Sequence, residues 1–178
     1  MPPDWLSIIE GILFVSPTPV SLRRFHEILD GLSLSEIRSY LEKLQSAYQE
    51  RGGGLEVKEV AGGFQIYTRP ELSPWIRRFT QRKPTRLSRP SLETLAIIAY
   101  NQPISRAEIE SIRGVDSQKA IRSLLEKGMV RVMGRKEMAG RPLLYGTTRR
   151  FLEHFGLKDL SSLPSPEELA VMGLDGEN

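Results

Sequence analysis

Side chains that could perform catalysis are few and scattered in this chain of 178 residues. Its two histidines, His26 and His154, are far apart, and each stands on a predicted helix beside an aromatic neighbour. The chain has no cysteine. It also contains neither a Gly-x-Ser-x-Gly nucleophile elbow nor a set of metal ligands at motif spacing. The sequence therefore predicts a protein that is not an enzyme and has no cofactor or metal site.

A glycine-rich stretch from Gly134 to Gly140 invites comparison with a phosphate-binding loop. The spacing between these glycines is one residue too long for that motif. Arg141 and Pro142 also occupy the positions where the motif has the Lys and Ser/Thr that contact phosphate and magnesium. A turn between two strands explains the glycines more simply.

Basic side chains are the other candidate functional groups, since they could bind a polyanion. They are distributed unevenly along the chain. Residues 85–160 carry 14 Lys/Arg against 8 Asp/Glu, a net charge of +6, whereas residues 1–84 have +1 and residues 161–178 have −4. Residues 77–89 hold six bases and no acid. Such a run permits contact with a polyanion without requiring it. The candidate DNA contacts are Arg77, Arg78, Arg82, Lys83, Arg86 and Arg89.

The chain contains an internal repeat with an offset of 84 residues. Pro103-Ile-Ser105 matches Pro19-Val-Ser21, and residues 121–127 are identical to residues 37–43 at six of seven positions. This offset is too long for a solenoid unit, where periods are about 20–50 residues. We therefore expect an N-terminal domain over 1–80, a basic linker over 81–89, a C-terminal domain over 90–160 and an acidic, partly disordered tail over 161–178.

Each copy is predicted to contain three short helices followed by a β-hairpin, which is a winged helix-turn-helix of the α+β class, mainly α. In the second copy, Ser105 and Glu108 form a capping box, and Asp116 or Ser117 caps the third helix. Strands are predicted at Val130–Val132 and Leu143–Tyr145, followed by a closing helix. The side chains expected on the buried faces of the helices include Leu92, Leu95, Ile109, Ile112, Ala120, Ile121, Leu124 and Leu125.

The first copy follows the same plan. Ser21 and Ser33 are expected to cap its second and third helices, and a hairpin is expected around Gly62-Gly63. The predicted inward positions include Ile8, Ile9, Ile12, Leu13, Phe25, Ile28 and Leu29, with Trp75, Ile76 and Phe79 on a closing helix. The longest apolar stretch is far too short to span a bilayer, so the sequence predicts a soluble intracellular protein.

Several segments resemble the segregation and condensation protein B (ScpB) family. They are the helix Leu92–Tyr100, the segment Glu108–Val115 and the predicted wing Gly134–Pro142, with Tyr145–Thr148 and Phe151–Leu157 after it. The resemblance is strongest over residues 86–164, and it is weaker but collinear over residues 6–80.

The resemblance implies a non-enzymatic subunit of the bacterial SMC condensin-like complex. Proteins of this family are homodimers of tandem winged-helix chains, joined mainly through the N-terminal modules. They bind the kleisin subunit, segregation and condensation protein A (ScpA), which bridges the heads of the SMC ATPase. The implied role is chromosome condensation and partition before cell division, in the cytoplasm at the nucleoid, with DNA contacted weakly or indirectly and no membrane partner.

On this reading, we expect the C-terminal module to contact the kleisin and the first helix to form the dimer. The predicted kleisin contacts are Arg135, Lys136, Arg141, Leu143 and Tyr145. The predicted dimer contacts are Trp5, Ile8 and Ile12, because aromatic side chains are enriched in interface cores. Simple strand core is the alternative for Leu143 and Tyr145, and packing on its own module is the alternative for Trp5.

A tandem winged-helix DNA-binding regulator is the other reading of this fold. It requires a third helix that suits the major groove. In the first copy that helix carries a balanced mixture of charges, which predicts poor DNA binding. The second copy offers Gln118, Lys119 and Arg122 on the helix and basic residues on the wing, with Glu126 and Glu137 among them.

Overall fold

The computed structural model describes residues 4–81, 87–165 and 168. The chain divides into two compact units, one of residues 1–83 and 157–178 and the other of residues 84–156. Each unit has three helices followed by an antiparallel hairpin, so the predicted α+β class, mainly α, is confirmed. Within the described residues, no helix combines the length and the apolar character that crossing a membrane requires.

The first unit begins with three helices whose first turns are capped by side chains. Asp4, Ser21 and Ser33 accept hydrogen bonds from backbone N–H groups three residues later, as N-cap residues do. Ser33 also forms a capping box with Glu36. The elements are α1 Trp5–Val15, α2 Leu22–Ile28, α3 Leu34–Arg51, β1 Leu55–Val60, β2 Gly63–Thr68, a 3₁₀ turn Pro70–Leu72 and α4 Ser73–Thr80.

The hairpin of the first unit turns through two residues, Ala61 and Gly62, whose φ angles of 51° and 70° suit a tight turn between antiparallel strands. The segment before α2 pairs with this hairpin through a bridge between Val20 and Phe64. The apolar faces of the helices and the hairpin meet in one core of Ile9, Leu13, Val20, Phe25, Leu29, Leu32, Ile37, Leu41, Leu44, Tyr48, Val57 and Phe64.

The segment that follows the second unit packs on the first. The N–H groups of Ala61 and Gly62 donate to the carbonyls of Leu157 and Lys158, at 2.8 and 3.0 Å. Lys158 also pairs with Glu59 at 3.2 Å. The second unit therefore ends at Gly156, four residues before the boundary expected from the sequence. Most of the tail that the sequence predicts to be partly disordered, residues 166–167 and 169–178, lies outside the described residues.

The second unit repeats this order and adds a short strand. Its elements are α5 Arg89–Asn101, β3 Ile104–Ser105, α6 Arg106–Arg113, α7 Gln118–Glu126, β4 Val130–Arg135, β5 Leu143–Thr147 and α8 Arg149–Phe155. The antiparallel sheet has the order β3-β5-β4, with an irregularity between Val132 and Gly134. A seven-residue loop, residues 136–142, joins β4 to β5 and forms the wing. The core contains Leu95, Ile98, Ala99, Ile104, Ile109, Ala120, Ile121, Leu124, Met129, Val130, Tyr145 and Phe151.

Some of the expected inward positions are wrong. Ile8, Ile28, Leu92, Ile112 and Leu125 are 38%, 44%, 44%, 57% and 36% exposed. Their helices have only 7 to 13 residues and cover the core with a narrow stripe, so apolar residues beside that stripe reach the surface. The two closing helices are present but differ, since α8 buries Phe151 whereas α4 buries no residue.

Candidate protein-interaction sites

The wing of the second unit presents two exposed arginines at its base. Arg135 ends β4, and its guanidinium donates a 3.0 Å hydrogen bond to the carbonyl of Arg141. The N–H of Lys136 donates to the carbonyl of Pro142 at 2.9 Å, which closes the loop. These bonds hold the backbone of the wing while both guanidinium groups stay accessible. The arrangement suits contact with an acidic partner.

Lys136 ties the wing to the start of α6. Its ammonium lies 2.5 Å from one carboxylate oxygen of Glu108, the residue that forms the capping box with Ser105. The hydrogen bond from Lys136, followed by those from Ser105, lowers the pKa of Glu108 to about 2. Because Lys136 already has a carboxylate partner, it is less available to another protein than Arg135 or Arg141.

The two apolar residues predicted to contact the kleisin lie deeper in the sheet. Leu143 is half-buried, and Tyr145 is 8% exposed and pairs with Ile104 and Val132 in the neighbouring strands. Tyr145 therefore contributes mainly to the core and offers the least surface of the five predicted contacts.

A shallow cleft beside the wing was not anticipated from the sequence. It has a volume of about 360 Å³ and lies between the end of α5 and α6, lined by Asn101, Pro103, Ile104, Glu108, Ser111 and Ile112. Glu108 belongs both to this cleft and to the ion pair with Lys136. Ile112 is 57% exposed here. The cleft and the wing thus adjoin through one ion pair and form a surface with both apolar and charged groups, which we call the wing face.

The predicted dimer contacts on α1 are only partly exposed. Trp5 and Ile12 pack against the core of their own unit, and Ile8 is 38% exposed. The same helix also exposes Phe14 and Val15, each at 75%. The apolar surface of α1 therefore extends to its C-terminal end. Sequence reasoning missed both residues, although their apolar character at the end of an amphipathic pattern was a signal.

The basic run between the repeats is described only in part. Arg77 and Arg78 are exposed in the last turn of α4. Arg89 is the first residue of α5 and pairs with Glu93 at 3.3 Å. The other three candidate DNA contacts, Arg82, Lys83 and Arg86, lie outside the described residues.

Both histidines have ordinary local contacts. Nδ1 of His26 is 2.8 Å from the carbonyl oxygen of Leu32, and His154 packs edge-on against Phe155. In the part of the chain that the structure describes, no group of three His, Cys, Asp or Glu side chains could hold a metal ion.

Comparison with known proteins gives a match to a family model described as segregation and condensation complex subunit ScpB, over residues 7–166. Segregation and condensation protein B from Syntrophotalea carbinolica is 46% identical over 172 residues, which cover 97% of this chain and 87% of that protein. The protein of the same name from Desulforamulus reducens is 46% identical over 167 residues, covering 94% and 92%. A solved dimer of the ScpB N-terminal domain complexed with ScpA peptide has a TM-score of 0.39 and 25% identity, covering 42% of this chain and 91% of that one.

Proposed function

This chain belongs to the segregation and condensation complex subunit ScpB family, and we propose that it is a non-enzymatic subunit of the bacterial SMC condensin-like complex. In this role it forms a homodimer and binds the kleisin ScpA, which connects it to the SMC ATPase. The complex supports chromosome condensation and partition during cell division, in the cytoplasm at the nucleoid. The observation that carries the proposal is the 46% identity to curated relatives over nearly the whole chain.

The wing face is our proposed kleisin contact. Arg135 and Arg141 supply exposed cationic groups on a backbone closed by hydrogen bonds. The neighbouring cleft offers the exposed side chain of Ile112 for an apolar residue of the partner. A helical peptide can use such a pair of features, because its apolar face packs in the cleft while an acidic residue reaches the arginines.

We further propose that α1 forms the dimer contact. Ile8 and Val15 are seven residues apart, so they form an exposed apolar stripe along one side of this helix, and such a stripe can be self-complementary across a two-fold axis. Trp5 and Ile12 would support the stripe from below, since both pack against the core of their own unit.

Calorimetric titration of the full chain with ScpA tests the kleisin contact. Charge reversal in Arg135→Glu/Arg141→Glu is expected to weaken binding about tenfold or more, because charged contacts at a partly desolvated interface are worth about 2 kcal/mol or more when truncated. The matched control is Lys127→Glu/Arg150→Glu, which makes the same change in charge near Gly128, before β4 begins. The control should bind within about twofold of wild type.

The outcome of this titration separates three cases. Loss of binding in the wing variant alone supports the wing face. Equal affinity in both variants removes the wing from the contact while the kleisin remains a partner. A wild-type chain that shows no heat with ScpA contradicts the proposed function itself.

Light scattering of the free chain tests the dimer. Ile8→Glu is expected to lower the measured mass toward that of one chain, because it places a carboxylate in an apolar contact where it has no partner. The control Ile112→Glu adds the same charge to an exposed apolar site in the second unit. A dimer that persists in Ile8→Glu would exclude this stripe.

A further inference from the structure

The free edge of the sheet in the second unit is formed by β4. The order β3-β5-β4 gives β4 one neighbour, and no other strand that the structure describes pairs with it. Along this strand only Val130 is buried, and the residues from 131 to 135 are all exposed. A free strand edge presents N–H and C=O groups that can pair with another chain.

The register of β4 shows which of its backbone groups point away from β5. The N–H of Thr148 donates to the carbonyl of Met129 at 3.2 Å. Two residues further along, Arg131 is opposite Gly146. Bonded and non-bonded pairs alternate in an antiparallel ladder, so Arg131 is bonded to β5 and the next residue, Val132, directs its N–H and C=O to the outer edge.

The same alternation applies beyond the irregularity in β4. The N–H of Lys136 donates to the carbonyl of Pro142 at 2.9 Å. The preceding residue, Arg135, is opposite Leu143 and therefore also directs its backbone groups outward. Val132 and Arg135 thus each offer one N–H donor and one C=O acceptor along the free edge.

The first unit covers the corresponding edge, which is that of β1. There the side-chain amide of Gln45, on α3, donates to the carbonyl of Val57 at 3.1 Å. The α3 helix has 18 residues, whereas α7 has nine and ends at Glu126. The residue 84 positions after Gln45 is Met129, which lies beyond the end of α7. Because its third helix is shorter, the second unit has no helical counterpart of Gln45 beside β4.

The side chains of β4 are apolar or cationic, and none is acidic. Val132 and Met133 are 44% and 48% exposed. Arg131 and Arg135 are exposed and form no ion pair with any residue that the structure describes. This composition complements an extended segment that carries both acidic and apolar side chains.

A second copy of β4 fits this edge poorly. Antiparallel pairing of two copies about a two-fold axis would bring the arginines of one strand close to those of the other, and like charges across a strand pair are destabilising. The irregularity between Val132 and Gly134 also opposes edge-to-edge association. An acidic partner encounters no such repulsion.

We propose that an extended segment of the kleisin, with acidic and apolar side chains, pairs as an additional strand with the outer edge of β4. This inference rests on the proposed function and adds a second mode of contact to the wing face, since Arg135 belongs both to the edge and to the base of the wing. Main-chain hydrogen bonds to Val132 and Arg135 hold the segment, and the guanidinium groups favour acidic side chains.

Amide hydrogen exchange resolved to single residues tests the pairing on the full chain, with and without ScpA. In the free chain, the N–H groups of Val132 and Arg135 should exchange faster than that of Arg131, which is bonded to β5. Addition of ScpA should slow exchange at Val132 and Arg135 about tenfold or more.

Three outcomes of the exchange measurement would overturn the pairing. Bound ScpA with unchanged exchange at Val132 and Arg135 would exclude the added strand while the proposed function stands. Protection of Val132 in the free chain that grows with protein concentration would mean that a second copy covers the edge. Absence of ScpA binding would contradict both the pairing and the proposed function.

Calorimetric titration with ScpA tests the backbone contact independently. Val132→Pro removes an outward N–H and keeps the bonds to β5, so it should weaken binding about tenfold or more. Val132→Ala keeps the N–H and should bind within about threefold of wild type. Equal affinities of these two variants would remove the backbone of β4 from the contact. The exchange measurement uses the wild-type chain and decides the question even if Val132→Pro does not fold.

A charge reversal tests the selection of an acidic segment. Arg131→Glu should weaken ScpA binding about tenfold. The control Lys119→Glu makes the same change at an exposed position in the first turn of α7, where we expect an effect within about twofold. Equal affinities of the two variants would contradict an acidic partner at this edge.

Discussion

The two units share the same order of helices and a hairpin. The tips of their hairpins differ in length and in what they contact. In the first unit the tip is a two-residue turn, and its N–H groups at Ala61 and Gly62 donate to backbone carbonyls of residues 157 and 158. In the second unit the tip is a seven-residue wing with exposed arginines at its base. The polar groups of the short turn are therefore used in hydrogen bonds within the fold, whereas the longer loop leaves charged side chains exposed.

The largest expected effect on stability comes from substituting Gly63 in the first unit or Gly146 in the second. At each of these glycines a strand passes close to other atoms of the protein. A Cβ at Gly63 would lie 2.8 Å from the backbone carbonyl carbon and oxygen of Val20, whereas one at Gly146 would meet side-chain atoms of Met133 and Gln102. Because the backbone can yield less than side chains, Gly63→Ala should cost about 3 kcal/mol and Gly146→Ala about 1 kcal/mol.

Amide hydrogen exchange followed by mass spectrometry measures each unit separately. Gly63→Ala should increase exchange in α3, β1 and β2, and Gly146→Ala should act in the second unit alone. If Gly146→Ala is the more damaging, the side chains of Met133 and Gln102 cannot move aside and the comparison fails at this point.

A smaller loss of stability is expected when the capping boxes at the start of α3 and α6 are removed. Ser33→Ala and Ser105→Ala each remove a hydroxyl that accepts from the third residue of its helix, which should cost about 1 kcal/mol. Each loss should raise hydrogen exchange only in the helix that the serine caps. Spread of either effect into the other unit would show that the two units do not unfold separately.

The smallest effect is a difference in acid titration between the glutamates of the same two boxes. The pKa of Glu36 is lowered by bonds from Ser33, and that of Glu108 is lowered to about 2 because Lys136 donates to it as well. Both folded-state values lie below the unfolded ones. Their stabilising contribution is therefore complete above about pH 4.5 and, for Glu108, is lost as the pH falls toward about 2.

Carboxyl ¹³C NMR measures both midpoints in one sample. Glu108 should titrate at the lower pH, and Lys136→Gln should raise its midpoint while leaving that of Glu36 unchanged. An unchanged Glu108 midpoint in Lys136→Gln would mean that the wing is not tied to α6 in solution.

Much of this fold follows from local patterns in the sequence. The caps at Ser33 and Ser105, the hairpins and the repeated order all depend on neighbouring residues, and the structure confirms them. The strand β3 was not predicted, because its two residues are defined only by pairing with residues 144 and 145. The contact of residues 157 and 158 with the first hairpin was not predicted either. It consists of backbone hydrogen bonds between segments distant in sequence, and such bonds leave no pattern in the residue types.

The candidate sites also differ in whether they depend on neighbouring residues or on residues distant in sequence. Arg135 and Arg141 remain predicted contacts, and the structure shows that both are exposed, which follows from a local glycine-rich loop. The sequence left the burial of Tyr145 open as an alternative and gave no sign that Lys136 is paired, because both depend on residues far along the chain.

The mass of the complex formed with ScpA tests the central claim most directly. Size-exclusion chromatography with multi-angle light scattering should show the full chain and ScpA in one peak, with a mass above that of the homodimer. The Arg135→Glu/Arg141→Glu variant should shift toward separate peaks. Two separate peaks for the wild-type chain and ScpA, at concentrations where each is folded, would contradict the account.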